Sequence, residues 1–428
     1  MKIPDDGLPT DEVLRRVEAA GVDDLPWRDG LGWSLVYNAS VEHMELVEAA
    51  GAMYADANGL SHSAFPSVAH FESAVLSMVG SIVHPTATGH SVFTTGGTES
   101  ILLAMKAYRD TDQRGRSEVV VPRTAHPAFR KAAQLLGLTS RAVDVGSDRR
   151  ADPDAVAAAI GDATLVVGVS APNFPFGVVD PVAEIATVAQ QRGVGLHVDA
   201  ALGGLFLPFV DGWSSPFGLD VPGVTSVSVD LHKYGYGLKG ASALMFATNN
   251  LRHGAYYLDT GWPGGALASA STVGTRSGRA AAAAYASLLH LGRAGLRDRV
   301  AEIMATTRTL VGGLRELGLP PVVEPDMSVF AARSETLDVR GVAAGLHERG
   351  WWMDLQQDPD ALHFVVMHRH AAVAERFLAD ASAVAADPPT AGRARGGGYG
   401  VMVRHDSGGA DPIEVLSRYL DGRYDFSP

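Results

Sequence analysis

The chain contains no cysteine in 428 residues, so disulfides, thiolate nucleophiles and cysteine-ligated zinc are excluded. No metal site is expected. It also lacks any uncharged apolar run long enough to cross a bilayer, and no transmembrane segment is expected. Its opening residues, MKIPDDGLPTDEVLRR, have no apolar stretch after the early lysine, unlike a secretory leader. A cytoplasmic location is the resulting expectation. Clusters of lysine and arginine are missing too. The formal net charge is -13, and contact with a phosphate backbone needs the opposite sign, so no nucleic-acid partner is expected. An acidic surface still tolerates a locally basic pocket for a small anion.

What is present is enough apolar content for a substantial core, 46% of the residues. The length suits one large domain and a smaller one. Short apolar strands alternate with helical stretches from residue 67 onward, the pattern of an α/β domain with a mostly parallel sheet. The spacing predicts strands at 91–95, 118–121, 141–145, 164–169, 195–199, 224–229 and 241–247. Helices are predicted at 10–20 with Thr10 as its cap, 40–55 with Ser40 as its cap, 67–82, 98–107, 127–136, 153–160, 181–191 and 280–315. The tail suggests a small α+β unit, with a flexible loop at 385–398. The expected division is an N-terminal segment 1–66, a large domain 67–300 and a small C-terminal domain 301–428.

Polar residues gather where the predicted strands end, the edge at which open α/β sheets bind ligands. Ser228 to Lys233 reads Ser-Val-Asp-Leu-His-Lys. A lysine in a polar cavity at a strand end is expected to lose proton affinity and become nucleophilic. His232 beside it can donate to a phosphate oxygen. Asp199 ends the strand Gly-Leu-His-Val-Asp, where a carboxylate can pair with a protonated ring nitrogen. The small Ala200 and Ala201 after it would let a flat ring lie close. Thr95-Gly-Gly-Thr-Glu-Ser100 is a strand, a glycine turn and a helix start. Backbone N–H groups there can cradle an anion, although neither the Walker pattern nor the dinucleotide fingerprint is present. His126 follows another strand and can stack on a ring. Each feature has a plain alternative as a turn, cap or core residue. Their order, each at a strand end, is more specific than any one of them.

The segments TTGGTESILLAMKAYRD (94–110), AHPAFRKAA (125–133), NFPFGVVDP (173–181), HVDAALGGLFLPF (197–209), SVSVDLHKYGYGLKGAS (226–242) and DTGWPGGALASASTVGTRSG (259–278) together resemble the group II pyridoxal-phosphate-dependent decarboxylase family, most closely its sphingosine-1-phosphate lyase-like branch. GWWMDLQQDPDALHFVV (350–366) resembles that family's C-terminal domain. The resemblance implies fold type I, the aspartate aminotransferase-like architecture, with pyridoxal 5'-phosphate as cofactor. It implies that Lys233 carries the cofactor, Asp199 pairs with its ring nitrogen and His126 stacks on the ring. Gly97, Thr98 and His232 would hold the cofactor phosphate, with Ser228 also at the cofactor site. Members are homodimers, and the Gly274-Thr275 loop would reach the neighbour's cofactor.

For the substrate, the lyase branch has an Asn-x-Leu-His segment that helps hold a phosphate. Asn58 and Leu60 match it, Ser61 stands at the histidine position, and His62 follows one residue later. Lys239 and Arg276 match cationic positions of that branch and suit an anionic amine substrate. The implied reaction is retro-aldol cleavage of a phosphorylated long-chain amino alcohol, giving an aldehyde and phosphoethanolamine. Lys233, His126, Tyr234 or Tyr236 would move protons. Amino acid decarboxylation is the alternative, since it needs the same lysine, acid and ring.

Overall fold

The computed structural model describes residues 3–84, 89–389 and 411–424. Its helices are α1 (Thr10–Ala20), α2 (Val41–Ala52), α3 (Pro66–Val83), α4 (Gly97–Thr111), α5 (Ala128–Leu136), α6 (Pro153–Ala159), α7 (Val182–Arg192), α8 (Asn249–Ala255), α9 (Arg279–Glu316), α10 (Val339–Glu348), α11 (Ala374–Ala386) and α12 (Pro412–Tyr424). Strands β1 (Ser91–Thr94), β2 (Glu118–Pro122), β3 (Thr139–Val143), β4 (Thr164–Ser170), β5 (Gly195–Asp199), β6 (Ser226–Asp230) and β7 (Ser242–Phe246) form one sheet. Their order is β1-β7-β6-β5-β4-β2-β3. Only β7 runs against its neighbours; β2 to β6 pair in parallel. This is the expected α/β architecture, with α5, α6 and α7 separating successive parallel strands from β2 to β5 and a long loop joining β5 to β6.

The central strand β4, Thr-Leu-Val-Val-Gly-Val-Ser, is buried along its whole length, as expected for a parallel strand covered on both faces. Gly168 within it leaves room for Phe129, whose ring would come within 2.4 Å of an added Cβ. Strand β6 alternates Ser-Val-Ser-Val-Asp, and its side chains point to opposite faces in turn. Val227 and Val229 enter the apolar core. Ser226, Ser228 and Asp230 share the other face, and the register sets His197 against Ser226 and Asp199 against Ser228. One face of the sheet therefore carries the buried polar groups that lead to its carboxyl edge.

A second sheet, ordered β10-β12-β11, is built by β10 (Val329–Ala332), β11 (Asp354–Gln356) and β12 (Ala361–Val365), all antiparallel. Helices α10 and α11 flank these strands in sequence. The N-terminal segment enters this region: Trp33 is fully buried and its ring meets Trp351, Phe364, His370 and Phe377. Three strands escape the sequence pattern: β11, and the pair β8 (Tyr257–Asp259) and β9 (Leu267–Ser269), a small hairpin in the Gly/Ser-rich stretch.

Helix α2 is capped as expected, with the Ser40 hydroxyl accepting from the His43 amide at 3.0 Å. Thr10 is not a cap. It is the first residue of α1, Pro9 precedes it, and no side chain caps that end. Helix α9 is broken at Gly292, whose φ of 56° is outside the helical region. Most of the predicted loop at 385–398 lies outside the described residues.

Candidate active site

The carboxyl ends of β2, β4, β5 and β6 deliver His126, Ser170, Asp199, His232 and Lys233 to one cavity of about 280 Å³. Ser34, Tyr37, Phe174, Ala201 and Lys239 complete most of its wall. Thus Lys233, Asp199, His126, His232 and Lys239 are brought together, as the strand-end reading requires.

Lys233 lies 3.0 Å from the Asp230 carboxylate through its Nζ. Burial works against its charge, but Asp230, then Tyr37 and Asp199, hold its pKa above the ordinary lysine value. This corrects the expectation of a depressed lysine: Asp230, buried at the end of β6, outweighs desolvation. Asp230 itself is held low, burial being overcome by Lys233 and His232. The His232 ring lies 3.6 Å from Asp230, and its Nδ1 accepts from the Ala241 amide at 3.4 Å. Burial nevertheless keeps His232 below the ordinary histidine range.

Asp199 Oδ1 accepts from the Ala201 amide at 3.1 Å and from the Ser228 hydroxyl at 3.3 Å. Ser228 also meets His197 at 3.3 Å, and His197 meets Ser226 at 2.7 Å. Ser226 contacts the Tyr108 hydroxyl, also at 2.7 Å, so a buried polar chain backs the carboxylate. Burial raises the Asp199 pKa, while His126 and Lys233 pull it back. Burial lowers that of His126, favouring the neutral imidazole. Its Nδ1 accepts from the Ala128 amide at 3.1 Å.

The glycine turn sits against this site. A Cβ on Gly96 would come 3.2 Å from the His232 ring, and one on Gly97 would meet Ala201 and Asp230 at 3.3 Å. Gly97 and Thr98 open α4, so backbone donors face the His232 side of the site. The turn is fastened by Glu99. Its carboxylate accepts from Thr95 N at 2.6 Å and from Thr272 N at 2.6 Å, tying the turn to the loop that carries Gly274 and Thr275. Those two residues are themselves exposed and do not line the Lys233 cavity.

Two predicted proton carriers are displaced. Tyr234 is fully buried, bonded to Ser328 at 2.6 Å and packed between Tyr37 and Phe206. Tyr236 is buried with φ of 54° and its hydroxyl unpartnered. Neither lines the cavity, because the turn after β6 directs both rings into the core. Tyr37 takes the place by the lysine. It lies in a loop before α2, where no periodicity marks it.

The predicted substrate residues divide. Lys239 lines the Lys233 cavity; its Nζ donates to the Leu35 carbonyl at 2.8 Å and lies 5.2 Å from the Tyr37 ring centre. It pairs with no carboxylate among the described residues. Desolvation, then the Lys233 charge, lowers its pKa. His62 and Arg276 instead line a separate cavity of about 360 Å³. Glu72 binds both, His62 at 3.3 Å and Arg276 through its guanidinium. Arg276 also donates to the Gly59 carbonyl at 2.7 Å. Asn58 uses its side chain to cap the turn at Leu60, accepting at 2.9 Å, and the half-buried Ser61 donates its amide to the Asn58 carbonyl at 3.2 Å. Within one chain, this group does not reach the lysine cavity.

A buried acid, a strand-end lysine, a neutral imidazole and a glycine anion cradle around one cavity define a site for a phosphorylated aromatic aldehyde cofactor. The pattern of the pyridoxal-dependent decarboxylase conserved domain matches residues 36–318. Sphingosine-1-phosphate lyase of Dictyostelium discoideum is 36% identical over 386 residues, 88% of this chain and 73% of that protein. A probable L-tyrosine/L-aspartate decarboxylase of Methanocella arvoryzae is 38% identical over 325 residues, 74% of this chain and 84% of that protein. The solved structure of sphingosine-1-phosphate lyase from Burkholderia pseudomallei superposes with a TM-score of 0.90 at 31% identity, covering 100% of this chain and 98% of that one. The chain belongs to the pyridoxal-dependent decarboxylase family and resembles its sphingosine-1-phosphate lyases over most of its length. Its cofactor is pyridoxal phosphate, and the residues around Lys233 fit that group.

Proposed function

We propose that this enzyme is a carbon–carbon lyase that splits a phosphorylated long-chain amino alcohol into an aldehyde and phosphoethanolamine. The observation that carries the reading is Lys239, a cation with no carboxylate partner among the described residues, in the same cavity as Lys233. Such a cation near the reacting carbon suits the phosphate of a phosphorylated amine; it suits a substrate carboxylate as well, so the assay below separates the lyase from a decarboxylase of acidic amino acids. Bound in this cavity, pyridoxal phosphate supplies an electron sink for the bond broken at the substrate's α-carbon.

The chain's own residues supply the rest. Asp199, fixed by Ala201 and Ser228, offers a carboxylate where the ring nitrogen belongs. His126 would pack against the cofactor ring as a neutral imidazole. Gly97, Thr98 and His232 hold the cofactor phosphate, and Lys239 takes that of the substrate. Lys233 and Tyr37 are the groups in reach to move protons, including the one taken from the hydroxyl beside the α-carbon.

A homodimer belongs to the same reading. Gly274 and Thr275 lie exposed beside a hairpin that leaves Tyr257, Leu258, Trp262 and Leu267 uncovered. Helix α1 buries none of its side chains within this chain, although Val13, Leu14 and Val17 share a face. Such surfaces support a second copy as their cover. Asn58, Ser61, His62 and Arg276 would then serve the neighbour's cavity.

Decarboxylation is the second reading, favoured by the Methanocella relative's 38% identity. Incubating the reconstituted enzyme with a phosphorylated sphingoid base and, separately, with a panel of amino acids separates the two. Aldehyde and phosphoethanolamine in the mass spectrum establish the lyase. Carbon dioxide from an amino acid, with the phosphorylated base intact, overturns it.

A further inference from the structure

The N-terminal segment supplies one wall of the lysine cavity through Ser34, Leu35 and Tyr37. This stretch belongs to no helix or strand. Within it the Val36 amide donates to the Ser34 carbonyl at 2.9 Å, and Leu35 has φ of 73°, a left-handed conformation that is costly for a leucine. A loop with a strained residue keeps its shape only where its surroundings hold it.

Two cations do so. Lys239 Nζ donates to the Leu35 carbonyl at 2.8 Å. Arg369 donates twice, from Nη2 to the Val36 carbonyl at 2.8 Å and from Nη1 to the Asn38 side-chain oxygen at 2.5 Å. One guanidinium thus grips the residue before Tyr37 and the residue after it. Its planar fork fixes the direction of both acceptors, which a single ammonium does not. Arg369 is itself anchored. It stands in the short 3-10 turn His368–Ala372, between β12 and α11. The next residue, His370, is fully buried, contacts the Gly32 carbonyl at 2.8 Å and accepts from the Met367 amide at 2.8 Å. The guanidinium also lies 5.6 Å from the Trp27 ring centre.

Arg369 pairs with no carboxylate among the described residues. Burial lowers its pKa to about 10, and Tyr37 is the group that pulls it back. Burying a charge without a counter-charge is costly, and joining two segments does not require it. Beside a phenol that exchanges a proton the charge has a use, because it favours the phenolate. We infer that Arg369 is a positioning residue for the bond-breaking step, aiming the Tyr37 phenol at the substrate through its grip on Val36 and Asn38. The inference rests on the lyase reading above, with Tyr37 as a proton carrier. Arg369 is not part of the cavity wall, so its effect passes through Tyr37.

The test is a double-mutant cycle on the reconstituted full-length enzyme with a phosphorylated sphingoid base, kcat being expressed per bound cofactor from the visible absorbance. Arg369→Met should lower kcat about ten- to hundredfold and change KM by less than about threefold, since Lys239 remains in place. In the Tyr37→Phe background the same substitution should lower kcat by less than about twofold further, because the ring it aims no longer carries the proton. Asn38→Ala removes one acceptor from the loop side and leaves Arg369 untouched. It should lower kcat by about threefold or more, and decides the matter where Arg369→Met does not fold. Losses that multiply in the double variant, a loss confined to KM, or full kcat in both Arg369→Met and Asn38→Ala overturns the inference. Wild-type enzyme that leaves the phosphorylated base intact and decarboxylates an amino acid removes the lyase reading and the inference with it. That outcome is read from the wild type alone, and so is distinct from a failure of the cycle.

Discussion

Replacing Asp230 by asparagine tests how the structure sets the reactivity of Lys233. The two charges lie 3.0 Å apart. At an effective dielectric constant of about 20, that separation corresponds to roughly 5 kcal/mol, an upper bound for the effect on the lysine's proton affinity. Asparagine keeps a hydrogen-bond acceptor and the cavity admits water, so a fall of about two to four units is expected. The direction is fixed by burial, which opposes the lysine's charge and is no longer countered by Asp230. The neutral amine is the form that condenses with an aldehyde. The assay is the rate at which apoenzyme takes up pyridoxal phosphate, followed by the visible absorbance of the lysine-bound cofactor from neutral to alkaline pH. The wild-type rate should climb with pH as Lys233 loses its proton. The variant's profile should be displaced downward by about two to four units. A midpoint that stays in place would refute the claim that Asp230 governs this amine.

Three further outcomes follow from the same geometry. Lys239→Met should raise KM for a phosphorylated substrate about ten- to hundredfold while the cofactor absorbance is retained, as steady-state kinetics with spectra on one sample will show. Gly177→Ala should destabilise by about 3 kcal/mol or more, because φ is 68° and the new Cβ would sit 1.7 Å from the Val329 carbonyl oxygen. A fall in the urea midpoint with the slope preserved is the check. Burial lowers the pKa of His43 to about 4 and of His197 and His370 to about 3. The unfolded chain therefore binds protons first as pH falls below about 6.5, and stability is lost from there down towards the folded-state values. Near pH 5 these three groups together contribute about 4 kcal/mol per pH unit to the slope, and urea titrations at several pH values should show it smaller by about 1.3 kcal/mol per pH unit in His370→Phe.

Much of this site could be read from the chain because its parts stand at strand ends. Alternation in Ser-Val-Ser-Val-Asp and in Gly-Leu-His-Val-Asp puts polar residues on one face, and parallel strands carry them to one edge. Lys233, Asp199 and His126 converge for that reason. What was not legible depends on contacts distant in sequence. Tyr37 has no local signal, and its place beside Lys233 comes from the packing of the N-terminal segment. The positions of Tyr234 and Tyr236 are decided by the turn after β6, which sends both rings inward. Asp230 stood in view beside the lysine, yet its control of that amine depends on a 3.0 Å approach that spacing does not specify. Strand β11 is three residues long and followed closely by Asp358-Pro359, so it resembles a loop until β12 pairs with it. The capture of His62 and Arg276 by Glu72 likewise joins segments that no pattern connects.

The central claim is that Lys233 is the residue that carries the cofactor. Reducing the reconstituted enzyme with borohydride fixes pyridoxal phosphate to its lysine, and peptide mass mapping then locates it. The structure predicts the label on the peptide containing Lys233, and its loss in Lys233→Ala. Label on Lys239 or elsewhere, with Lys233 unmodified, would contradict the assignment of this cavity.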